Sequence, residues 1–146
     1  MLRKLLATSD DLAPLIARLT LGLIILPHGL QKLVGLFGGY GFSATMNQFT
    51  SGGMPAALAF LVIIGESFGA LGLIFGFIGR FSAFGIALIM LGGIFMAHLP
   101  NGLFMNWSGQ QAGEGFEYHL LAIGLGLIVL IKGSGRWSID RLLSKT

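Results

Sequence analysis

The sequence has no cysteine and little charge, with 9 Lys+Arg and 6 Asp+Glu among 146 residues. Without a thiol the chain cannot by itself form a disulfide, hold an iron–sulfur cluster or carry sulfur on cysteine. Charged residues make up 10% of it, against about 25% in ordinary soluble domains. Hydrophobic residues make up 54%, more apolar surface than a water-soluble domain of this size can hide. Composition therefore excludes a disordered chain, a disulfide scaffold and an ordinary soluble enzyme. A small integral membrane protein remains, and residues 1–146 leave room for one domain. Arg3 and Lys4 imitate the start of a secretory signal. The apolar run behind them contains Arg18, continues too long and lacks a small-residue cleavage site, so it reads as a crossing.

A bilayer core of about 30 Å takes roughly 20 apolar residues in a helix. Four stretches qualify, at about 12–37, 56–78, 81–99 and 116–132. The fourth is the shortest, and its first residues include Glu117 and His119. The expected fold is an all-α membrane protein, an antiparallel up-down-up-down bundle of four transmembrane helices. Ile78-Gly79-Arg80-Phe81 predicts a tight turn between the second and third spans. Segment 38–55 is glycine-rich and contains a short amphipathic piece, Phe42–Phe49. Segment 100–115 is polar, and Trp107 reads as an interface anchor.

Positive charge sets orientation. Arg3, Lys4, Arg80, Lys132, Arg136, Arg141 and Lys145 flank the side of both termini, and the two long loops hold no Lys or Arg. That pattern predicts a plasma (inner) membrane protein, multi-pass, with both termini cytoplasmic. Its expected partners are membrane lipids, and the basic flank reads as topology and anionic headgroups rather than nucleic acid.

Helices in lipid associate through close backbone approach. Gly65, Gly69, Gly72, Gly76 and Gly79 form one stripe on the second span. Gly22 and Gly29 on the first span, and Gly85 and Gly92 on the third, are each seven apart. All read as packing seams.

Polar groups inside a span are costly and face the bundle interior or a wet cavity. By helical rise, His28 lies roughly 12 Å and Glu66 roughly 13–15 Å below the outer surface, with Lys32 one turn above His28. His98 and Asn101 end the third span at that surface, and Glu117, Tyr118 and His119 open the fourth there. All three histidines thus collect in the outward half. Each has a plainer reading: Glu66 as a protonated carboxyl bonded to a neighbour, His28 as a satisfied interior histidine, Lys32 as a snorkelling side chain, and the others as residents of the wet interface. Arg18, about 9 Å from the inner end, is expected to pair with Asp140 as a structural ion pair or to snorkel. No two histidines share a helix at i+4 spacing, so no metal site is expected.

The order and spacing of five segments resemble the DoxX family of small four-span membrane proteins. They are Arg18 to Gly22; Pro27-His28-Gly29 with Lys32; Gly65-Glu66 to Gly76; His98-Leu99-Pro100-Asn101-Gly102; and Glu117-Tyr118-His119 with the later Gly133 to Asp140. The resemblance covers about residues 12–142. It places Arg18, His28, Gly29, Lys32, Glu66, His98, Asn101, Glu117 and Asp140 at motif positions. It implies a membrane oxidoreductase subunit. The namesake branch is associated with thiosulfate:quinone oxidoreduction, and others with oxidative-stress complexes and quinone detoxification.

The expected function is then a quinone-interacting redox subunit. Glu66, His28 and Lys32 would form its catalytic group, and His98, Asn101, Glu117 and His119 the lining of the quinone pocket. Quinone is the substrate or ligand, and electrons must come from a substrate, a bound cofactor or a partner protein. The expected protein partner is a redox protein or further copies of the chain in a homo-oligomer. A b-type haem between His28 and His98 fits poorly, because their depths differ by about a third of the core. Two alternatives stand beside this reading: a small proton-coupled transporter, and a non-catalytic membrane anchor for a partner enzyme.

Overall fold

The computed structural model describes residues 5–144. Arg3, Lys4 and Lys145 of the basic flank lie outside the described residues. Those described are helical, with no strand among them. Helix α1 (Leu12–Val34) begins where the Asp11 side chain accepts a hydrogen bond from the Ala13 N–H at 3.0 Å. It ends three residues short of the expected position, because Gly35 turns left-handed at φ 76° and stops the ladder. Pro27 inside it removes one backbone donor, which transmembrane helices tolerate. The amphipathic piece is helix α2 (Phe42–Ser51). Helix α3 (Ala56–Phe75) and helix α4 (Gly79–Asn101) follow, then α5 (Glu117–Lys132) and the short α6 (Ile139–Ser144).

Three helices, α1, α3 and α4, are long and apolar enough to cross a membrane, with 23, 20 and 23 residues. The fourth expected span, α5, has 16 residues, about 24 Å at 1.5 Å per residue. It packs extensively on α4 and also on α1. A shared core joins Leu21 and Ile25 of α1, Leu73 of α3, Ile86 and Met90 of α4, and Val129 of α5. The outward faces are apolar too: Leu23, Phe75, Leu121 and Ile131 are all exposed. Such a surface suits hydrocarbon and not water.

The glycine seams divide. A Cβ on Gly22 would meet Ile74 and the Ala70 carbonyl at 2.8 and 2.9 Å, so α1 lies against the α3 backbone there. Gly85 and Gly92 have open space before them, so they form no seam among the described residues. The seven-residue spacing alone does not say which way a helix is turned.

Both described ends of the chain meet at one end of the bundle. Lys132 pairs with Asp11 at 2.6 Å, and the Arg136 N–H donates to the Asp11 carbonyl at 3.1 Å. The hydrogen bond from Lys132, then that from Ala13, holds the Asp11 carboxyl below its usual value of 3.8. A depressed carboxylate stabilises the fold above its unfolded pKa and loses that contribution as pH falls through the folded one. Thermal unfolding in detergent should therefore become easier on acidification below about pH 4. Asp11→Asn should show a shallower acid dependence, and identical pH profiles for the two proteins would contradict the assignment.

Candidate functional site

The π-turn Gly65–Gly69 interrupts α3 and carries Glu66. Such turns are rare and recur at functional sites, because one extra residue re-aims the side chains around it. Glu66 is 6% exposed and pairs with Lys32 of α1 at 2.6 Å. Lys32 also donates to the His28 carbonyl at 3.4 Å, so it turns inward instead of snorkelling. Gly29 makes this approach of two helices feasible. A Cβ there would stand 2.6 Å from the Ser67 nitrogen and 2.7 Å from the Glu66 carbonyl.

A second π-turn, Ile94–His98, ends the regular part of α4 and presents His98. The His98 and His119 rings lie 4.3 Å apart between centroids, and Gly93 leaves room for the His119 ring. His98 Nδ1 lies 2.8 Å from the Glu114 carbonyl oxygen. A carbonyl only accepts, so Nδ1 donates the proton. Tyr118 stacks edge-on to His119 at 5.5 Å and faces the exposed His28 ring at 6.3 Å. The Tyr118 hydroxyl and His119 Nδ1 are buried without a hydrogen-bond partner among the described residues. Buried polar atoms normally have partners, so each such exception calls for an explanation.

Lys32, Glu66, His28, His98 and His119 thus gather at the end of the bundle away from the termini, with Tyr118 between them. Tyr118 was not among the expected site residues. Its position next to His119, at the start of a helix with the bundle on one side, was the available signal. Asn101 and Glu117 do a different job. Asn101 donates to the Glu114 carbonyl at 3.0 Å, and Glu117 accepts from the Met105 N–H and the Trp107 indole at 3.2 and 3.3 Å. They fasten the 102–116 loop beside the cluster.

Arg18 and Asp140 sit at the opposite end and form no direct salt bridge, which corrects the expected ion pair. Arg18 is 1% exposed, so it does not snorkel either. Its guanidinium donates to the Leu73 and Ile74 carbonyls in the last turn of α3, where Leu73 also accepts from the Gly76 N–H, and to the carbonyls of Ser134, Arg136 and Trp137. Asp140 does the converse, accepting from the Ile78 and Gly79 N–H groups at the start of α4 at 2.7 and 2.9 Å. Ser134 joins the two, its carbonyl accepting from Arg18 Nε at 2.8 Å and its hydroxyl donating to Asp140 at 2.5 Å. The pair therefore clasps the α3–α4 turn, where Ile78 adopts the left-handed φ of 45° that costs a β-branched residue most.

The DoxX family model matches residues 13–99, more than half the chain. The chain belongs to the DoxX family. The inner membrane protein YqjF of Escherichia coli is 29% identical over 136 residues, covering 93% of this chain and 95% of YqjF. The uncharacterized membrane protein Rv3486 of Mycobacterium tuberculosis is 33% identical over 135 residues, covering 88% of this chain and 79% of Rv3486. No solved structure matches. Among the described residues no group of His and carboxylate side chains is arranged to hold a metal ion. In this DoxX protein the family match ends at Leu99, just past the His98 turn, so Tyr118 and His119 enter the cluster from beyond it.

Proposed function

We propose that this DoxX protein is a quinone-linked oxidoreductase subunit of the inner membrane, crossing four times with both termini cytoplasmic. The observation that carries the reading is the pair of buried, unpartnered atoms, the Tyr118 hydroxyl and His119 Nδ1, beside the Lys32–Glu66 ion pair. A buried hydroxyl without a partner suits a ligand that brings a carbonyl oxygen to accept from it. The exposed His28 ring marks a lateral approach from lipid. A bound quinone would supply two-electron redox chemistry, with the electrons coming from a substrate or a partner protein. The chain's own residues bind, orient and move protons. Tyr118 donates to a carbonyl oxygen. Glu66 and Lys32 form the ion pair at the pocket, and His119 and His98 lead from it toward the 102–116 loop.

Lipid contact follows from membrane embedding, and a redox partner or a second copy would complete electron delivery. For the fourth crossing, α5 packs against two spanning helices, and local thinning of the bilayer accommodates a short span. The protein purified in nanodiscs should retain a quinone visible by native mass spectrometry. Tyr118→Phe should lower binding of a short-chain quinone by about tenfold, one hydrogen bond's worth. Equal binding by wild type and Tyr118→Phe would remove the support for a quinone site. The Lys32–Glu66 pair also suits a proton-coupled transporter. Solute-dependent proton uptake into liposomes without redox turnover would favour that reading instead.

A further inference from the structure

At the end of the bundle opposite the polar cluster lies a cavity of about 750 Å³. Its polar side is made by Asp10, Arg136 and Arg141, and its apolar side by Phe75, Trp137 and Leu142. We propose that this cavity binds the headgroup of an anionic glycerophospholipid, with the start of an acyl chain along its apolar rim. The site is independent of the quinone reading.

Charge is the first argument. The Asp10 carboxylate oxygen Oδ1 accepts from Arg136 Nε at 2.9 Å and from Arg141 Nη1. Among the described residues, one carboxylate therefore faces two guanidiniums, and one positive charge is left over. The neighbouring cation Lys132 has its own partner in Asp11, so the surplus belongs to the arginine pair. A guanidinium has five N–H donors in a planar fork. Arg136 and Arg141 commit one each to Asp10, and the rest match a phosphate diester, which takes paired N–H groups.

The rim is the second argument. Phe75, Trp137 and Leu142 are 58%, 78% and 70% exposed, next to the charged side. A free phosphate would have no use for that rim, whereas a lipid presents phosphate and hydrocarbon together. Tryptophan favours this depth, at the boundary of headgroup and chain. The Trp137 backbone supplies a third. Its φ of 54° is left-handed, strained for a residue with a side chain, and its carbonyl is held by Arg18 at 2.8 Å. The strain is maintained by a buried clasp while the ring itself stays exposed. Such an arrangement fixes the ring's direction without using the ring for packing.

The test is native mass spectrometry of the full chain in neutral detergent. The probes are phosphatidylglycerol and phosphatidylethanolamine with matched acyl chains, supplied together. Phosphatidylglycerol should be retained in preference. Arg136→Gln combined with Arg141→Gln should weaken its retention by roughly thirtyfold, from two lost cationic contacts near the surface. Asp10→Asn should raise retention severalfold, because it frees both guanidiniums. A purely structural ion pair would instead make Asp10→Asn behave like the arginine variant, which would overturn the proposal. Equal retention of the two lipids would overturn it as well. Displacement of the lipid by equimolar glycerol 3-phosphate would show a site for free anions and would equally overturn the lipid assignment.

Discussion

Arg18→Met is expected to destabilise the protein by about 3–5 kcal/mol, the cost of breaking a buried charged network. The substitution removes the donor that serves five carbonyls, two of them in the last turn of α3. The bond to the Ser134 carbonyl is buried, and a buried carbonyl left unpaired adds to the loss. It also strips the positive charge that faces Asp140, while Asp140 continues to hold the start of α4. Arg18→Lys should recover only part of the loss, because an ammonium keeps the charge but has three donors in place of a five-donor fork. Thermal unfolding in a mild detergent measures all three proteins. A lysine variant as stable as wild type would mean that charge alone matters, and the capping geometry would then be irrelevant.

Gly29→Ala should be nearly as damaging, and Gly85→Ala harmless. One methyl group at Gly29 would press on the Ser67 nitrogen and the Glu66 carbonyl, both backbone atoms with nowhere to move. Overpacking of this kind costs about 1–3 kcal/mol, and more where backbone must shift. Separation of α1 from the π-turn would also lengthen the Lys32–Glu66 contact, so quinone binding should fall with stability. At Gly85 a methyl group meets nothing within 4 Å. The better helix propensity of alanine should leave Gly85→Ala unchanged or stabilised by up to about 1 kcal/mol. The same substitution in two transmembrane helices thus has opposite expected signs. Equal effects at the two positions would show that helix propensity, and not helix contact, governs both.

Much of this could be read from the sequence, for identifiable reasons. Hydropathy located α1, α3 and α4, because length and apolar content are what a bilayer demands. Counting 1.5 Å per residue put His28 and Glu66 at nearly one depth with Lys32 a turn above, and the long Lys32 side chain reaches across to pair with Glu66. Rotation about the helix axis was not legible. Gly22–Gly29 and Gly85–Gly92 have the same spacing, yet the first pair meets α3 and the second faces outward. Rotation also separates Glu117, turned to the loop, from its neighbour Tyr118, turned to the cluster. The π-turns at Glu66 and His98 were equally hidden, since they arise from packing and leave no composition signal. Arg18 and Asp140 were placed at the correct end but act on backbone caps, a role that side-chain charge does not announce.

The central proposition is that Glu66, Lys32, His28, Tyr118 and His119 surround one quinone pocket. Photoaffinity labelling of the nanodisc-embedded protein with a short-chain azidoquinone, followed by peptide mass spectrometry, tests it most directly. Adducts should concentrate on the stretch from His28 to Lys32 and on Glu117 to His119, and should disappear with excess unlabelled quinone. Labelling spread along the exposed faces of α4, or confined to the end near Arg136, and indifferent to competitor, would contradict it.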